Sequence, residues 1–172
     1  AAVRVGRRNE SFQEMFEGRI DEVGVFNQTL TSAEIRSSDS SSTWTAQGME
    51  WPETHYDGPE PVSRWEFSRG AGQTVEDIEG DNDGTLGSGS GYASDDPTWV
   101  QDCRTDGCLR FDGSDDYVDI GDKFDGETEV TMLGWVRPAT GSLSNKEGFF
   151  GKNNALEFFP TTSPEGIRFW TP

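Results

Sequence analysis

"CLRFDGSDDYVDIGD", Cys108 to Asp122, reads as two short strands folded about a glycine turn. Leu109 and Phe111 alternate with Arg110 before the turn, and Val118 and Ile120 stand opposite Tyr117, Asp119 and Gly121 after it. A period of two is that of a strand with one face on a core and one in water. Asp-Gly is turn chemistry, and outward carboxylates keep a sheet face soluble. The same pattern spreads outward. "EVTMLGWVRPA" (129–139) sets Val130, Met132, Gly134 and Val136 against Thr131, Leu133 and Trp135 until Pro138 ends the run. "VSRWEFS" (62–68) carries Trp65 and Phe67 on one side, and "EGFFGK", "ALEFFP" and "GIRFWTP" supply further short strands. Many short strands between glycine turns, with almost no helix, predict an all-β chain folded as an antiparallel β-sandwich.

The composition fits this reading. A hydrophobic share of 31% is low, but aromatic residues make up 12% and fall in the alternating runs, so a thin aromatic core is expected in place of disorder. The net charge of −18 disfavours nucleic acid and anionic membrane surfaces, both of which need cations on the protein. Lysine is confined to Lys123, Lys146 and Lys152 while carboxylates abound, a balance suited to concentrated salt, where self-repulsion is screened. An ordinary acidic secreted protein with cation-binding loops has the same balance. No run approaches the ~20 apolar residues of a membrane span, so no membrane insertion is expected within this chain.

Residues 1–36 have the character of an ending. "AAVRVG" alternates and stops at glycine, and "FEGRIDEVGVF" (16–26) is a strand mixed on both faces. Ile20, Glu22, Gly24 and Phe26 fall on one side, and Arg19, Asp21, Val23 and Val25 on the other. "TSAEI" then offers Thr31 as N-cap and Glu34 three residues on, a capping box. Residues 37–61, rich in Ser, Pro and acidic residues, read as a linker, with Trp44 and Trp51 packing it onto a neighbour. From Val62 a new module begins.

"VSRWEFSRGAGQTVEDIEGDNDGTL", "CLRFDGSDDYVDIGD" and "VTMLGWVRPA" resemble, in that order, the first half of a laminin G-like module of the concanavalin A-like jelly-roll superfamily. "AVRVG" and "FEGRIDEVGVFNQTLTSAEI" resemble the last part of such a module. The acidic loop is one residue shorter than the usual form, and the module's middle strands are absent. The resemblance therefore divides the chain into C-terminal strands of one module (1–36), a linker (37–61) and the N-terminal part of a second module (62–172). The order end, linker, beginning fits a piece of tandem modules best. It also fits a circular permutant, or a subunit completed by a neighbour's strands.

Two kinds of site are expected. "EDIEGDNDG" offers Asp77, Glu79, Asp81, Asn82 and Asp83 around Gly80 and Gly84, the oxygen-rich, turning backbone that Ca²⁺ favours. The resemblance implies a structural Ca²⁺ held by Asp77, neighbouring carbonyls and Asp21. The expected metal set is thus Asp77, Asp81, Asp83 and Asp21; a solvated acidic turn is the plainer reading. The second cluster, Asp112, Asp115, Asp116, Asp119 and Asp122, reads as turn and surface. The spacing of Cys103 and Cys108 does not match a four-ligand zinc site and no His stands near them; the pair suits a disulfide stapling a hairpin turn, with free thiols as the alternative. A disulfide points outside the cytoplasm.

Catalysis is not expected. Glu76, Asp77 and Glu79 lack the spacing of the superfamily's glucanase carboxylates, and His55, the only histidine, leaves no Ser–His–Asp site. The resemblance implies glycan or cell-surface protein ligands, with further laminin G-like modules as neighbours. Trp135, Phe149, Phe158, Phe169 and Trp170 are candidates for stacking on sugar, most of them expected in the core. "NES" at Asn9 and "NQT" at Asn27 fit glycosylation acceptors. The expected function is non-catalytic recognition or adhesion, calcium-stabilised, by a secreted or cell-surface protein. The alternatives are an accessory region of a larger secreted glycan-degrading enzyme, its catalytic domain outside this chain, and a structural filament or surface-assembly subunit.

Overall fold

A computed structural model describes residues 1–7, 15–36, 59–89, 91–103, 107–139, 147–152, 155–162 and 165–170, with side chains up to residue 160 apart from that of Arg36. Twelve strands and one short helix are described. In chain order they are β1 (Val3–Val5), β2 (Glu17–Phe26), α1 (Ser32–Arg36), β3 (Ser63–Trp65), β4 (Thr74–Val75), β5 (Gly84–Leu86) and β6 (Thr98–Val100). There follow β7 (Cys108–Asp112), β8 (Val118–Gly121), β9 (Thr131–Pro138), β10 (Phe150–Lys152), β11 (Leu156–Thr162) and β12 (Glu165–Trp170). All pairings are antiparallel, as expected. One sheet runs β12-β11-β10-β1-β8-β5-β4 and the other β3-β2-β7-β6, with β9 also paired to β2. No helix among the described residues is long and apolar enough to cross a membrane.

Strand alternation builds the core. In β1, Val3 and Val5 point inward while Arg4 faces Asp119 at 3.4 Å on the other side. They meet Val118, Ile120, Leu86 and Phe150 of their own sheet, and Ile20, Val25, Leu109, Phe111 and Trp65 of the facing one. Full burial of side chains such as Leu109 and Phe111 contributes roughly 2–3 kcal/mol each. Segments 1–36 and 62–172, which the sequence divides between two modules, contribute strands to the same two sheets. β1 lies between β8 and β10, and β2 pairs with β3, β7 and β9. Residues 37–58, which hold Trp44, Trp51 and His55, lie outside the described residues, as does Asn9.

β2 resolves its two mixed faces with a bulge. Glu22 takes φ of +51°, and the register to β9 slips between Asp21 and Gly24. An extra residue at that point changes which side chains point inward, so Ile20 joins Val23 and Val25 in one core. Arg19 and Asp21 are left on the outer face, where both line a cleft. After the strand, α1 begins with the expected capping box. The Thr31 amide donates to Glu34 Oε2 at 2.6 Å, and the Glu34 amide to Thr31 Oγ1 at 3.3 Å. The disulfide forms between Cys103 and Cys108, joining the end of β6 to the start of β7.

Candidate functional site

The loop 76–83, between β4 and β5, is closed by its own carboxylate. Asp77 Oδ1 accepts hydrogen bonds from the amides of Arg64, Glu79 and Gly80 at 2.8, 3.2 and 3.0 Å, and Oδ2 accepts from the Asn82 amide at 3.1 Å. Trp65 Nε1 donates to the Asn82 carbonyl at 3.0 Å, fastening the loop to β3. Burial opposes ionisation of Asp77, but the amides of Arg64, Gly80 and Asn82 and the Ser63 hydroxyl outweigh it and lower its pKa. The carboxylate thus organises backbone.

The expected metal residues do not converge. Asp83 Oδ1 accepts from the Asp77 amide at 2.9 Å, Asp81 is exposed, and Asp21 lies on β2 beside Trp135 and the disulfide. With Asp77's oxygens turned to four amides, this set does not fit the Ca²⁺ that the resemblance implies. Among the described residues, three carboxylates come within 4.8 Å of one another at Asp112, Asp115 and Asp116, in the second cluster. Asp116 is buried, and that burial, with Asp112, Asp115 and Asp96 as like-charged neighbours, pushes it up to about 7. Asp95 and Asp96 adjoin this group. Gln73 Nε2 donates to Asp96 Oδ2 at 2.8 Å, and Ser94 Oγ to Asp115 Oδ2 at 3.3 Å. The amides of Ala93, Asp112 and Ser114 donate to Asp96 Oδ2, Asp116 Oδ2 and Asp112 Oδ1, each at 2.8 Å, while Gln73 Oε1, Asp95 Oδ1 and Asp96 Oδ1 are buried without a donor. Both aspartate oxygens face Gly87, where an added Cβ would meet Asp96 Oδ1 and would lie 2.6 Å from Asp95 Oδ1.

The outer face of the smaller sheet carries a cleft of about 350 Å³ where β9, β2 and β7 lie side by side. Its lining includes Arg19 and Asp21 from β2, Trp135 and Arg137 from β9, Asp102, and the Cys103–Cys108 disulfide. Asp21 and Trp135 are direct register partners, half-burying the indole beside a buried carboxylate. Arg19 donates to Asp102 Oδ2 at 2.7 Å and to the Asp102 carbonyl, and this bond holds the Asp102 carboxyl below its usual range. A half-buried indole, guanidinium groups and carboxylates around one cleft can stack on a sugar ring and bond its hydroxyls.

Of the other aromatic candidates, Phe149 is in the core, edge-on to Phe16 at 5.4 Å, and Phe158 packs against it. Phe169 and Trp170 fall in β12, whose side chains lie outside the description. Asn27 is exposed in the turn after β2. β6, Gln73, Asp95 and Asp96 are not among the features expected from the sequence. "TWV" at 98–100 is a β-branched and aromatic strand signal that could have found β6. Comparison with protein-family models, with characterised proteins and with solved structures finds no match for this chain.

Proposed function

We propose that this chain is a non-catalytic recognition module that binds glycan, its two segments forming one sandwich and its ligand seated in the outer-face cleft. The observation that carries the reading is Trp135, half-buried in that cleft beside Asp21, Arg19 and Arg137. The disulfide favours a secreted or cell-surface setting.

The stabilising cation of the same reading is assigned to the Asp112, Asp115 and Asp116 carboxylates, with the undonated oxygens of Asp95 and Asp96 beside them. Ca²⁺ takes about six to eight oxygens, and buried acceptors without donors are what such an ion satisfies.

The test of recognition is retention of the purified chain on a panel of immobilised polysaccharides, alongside Trp135→Ala. Retention of the parent and loss in the variant, at unchanged melting temperature, is the expected result. Equal retention of both, or none of either, overturns it.

A further inference from the structure

We propose that the ligand of this face is an anionic glycan, one bearing uronate or sulfate groups, and that a row of three arginines reads the charge. The inference rests on the glycan reading above and adds the chemical class.

The row is set by register. Arg19 of β2 is directly opposite Arg110 of β7 on one side and Arg137 of β9 on the other. Side chains directly opposite in an antiparallel pair share a face, so three guanidinium groups cross three adjacent strands in line. They line a second cleft, of about 440 Å³, which shares Arg19 and Arg137 with the cleft holding Trp135. Arg110 and Arg137 are exposed, and among the described residues neither makes an ion pair. Arg19 is ion-paired with Asp102, whose charge Arg137 also feels without pairing to it.

Like charges set opposite one another destabilise a sheet. Here that occurs in a chain with 32 acidic residues against 14 basic ones, where a carboxylate partner for each arginine was plentiful. Two residues along on the same face, Glu17 and Asp112 are themselves register partners and line one end of the same cleft, so the positive charge is a narrow line bordered by carboxylates. Such a line suits evenly spaced anionic groups better than a broad anionic surface. Arginine also suits the task in a saline setting. Its planar fork makes bidentate, charge-assisted bonds to carboxylate and sulfate oxygens, which depend on geometry as well as long-range attraction. Trp135, next to the row, offers the apolar face of a sugar a place to stack.

The experiment compares matched polymers by calorimetry on the full chain: polygalacturonate against its methyl ester, and dextran sulfate against dextran. The anionic member of at least one pair should bind more tightly than its neutral twin. Arg110→Ala and Arg137→Ala should each weaken that binding roughly ten- to a hundredfold, the range for a hydrogen bond to a charged group. Arg→Lys at the same positions should restore only part of it, and melting temperatures should not move. Equal binding of neutral and anionic twins, sensitive to Trp135→Ala, overturns the anionic class while glycan recognition stands. No binding of any polymer, or binding of acidic peptides alone, overturns both. Anionic binding unchanged in the Arg110→Ala/Arg137→Ala double variant overturns the row.

Discussion

Two acidic loops flank strand β5, and they meet opposite surroundings. Before the strand, the Asp77 carboxylate collects four backbone amides, three from its own loop and one from Arg64 of β3. After it, Asp95 and Asp96 pack against the Asp112–Asp116 turn with buried oxygens that no donor reaches. Amides of Ala93, Asp112 and Ser114 serve carboxylates there too, but they do not reach Asp95 Oδ1 or Asp96 Oδ1. Negative charge in a loop therefore says little about metal binding until its lone pairs have been accounted for. An acidic loop whose buried oxygens all find amides is a structural part, and one with buried oxygens left over is where an added cation has work.

The contrast breaks most sharply at Asp77. Asp77→Ala should lower the unfolding free energy by about 3–5 kcal/mol, because four amides lose their acceptor at a buried site. Urea denaturation measures it, and a loss below about 1 kcal/mol would mean that water replaces the carboxylate. Next comes the cation. Ca²⁺ added to chelated protein at a hundredfold over its dissociation constant should stabilise by about 2.7 kcal/mol, seen as a raised melting temperature. Asp96→Asn should remove that increment, and Asp81→Asn, in the self-closed loop, should leave it. An increment that survives Asp96→Asn would move the ion elsewhere.

The two loops should also respond to pH with opposite sign in chelated protein. Asp77 has a lowered pKa, so its stabilisation is complete above the ordinary aspartate range and fades as pH falls through its folded value. Asp116 is raised to about 7, so the folded state holds a proton that the unfolded chain releases from pH ~4 upward. Stability should therefore fall as pH rises from about 4 to 7, and Asp116→Asn should flatten that fall. Denaturation midpoints across this range are the measurement, and the same slope in parent and variant would sink the assignment. The smallest effect is at Gly87, where φ is +57°. Gly87→Ala should cost about 1–2 kcal/mol and abolish the Ca²⁺ increment, whereas Gly89→Ala, whose Cβ meets nothing within 4 Å, should do neither.

What the sequence made legible was local. Alternation in Val3–Val5, in Cys108–Gly121 and along 130–138 carries a period of two that needs no partner to be read. The Thr31–Glu34 capping box and the Cys103–Cys108 staple likewise lie within a few residues. The bulge at Glu22 was not legible, because only a partner strand decides which of two mixed faces turns inward. The arginine row was hidden for the same reason. Arg19, Arg110 and Arg137 are far apart in sequence and aligned only by register. The Asp77 site misled because the residues that suit a cation also suit a tight turn, and the choice rests with amides that carry no sequence signature.

The place of β1, between β8 and β10, bears on how the chain is made. Arg4 meets Asp119, 115 positions away in sequence, and Val5 pairs with Phe150. β1 has no sheet neighbour until β8 is made and no second one until β10. Closing so long a span is slow rather than prohibitive, so the delay falls on the rate of folding more than on final stability. Deleting residues 1–6 would part the larger sheet down its middle.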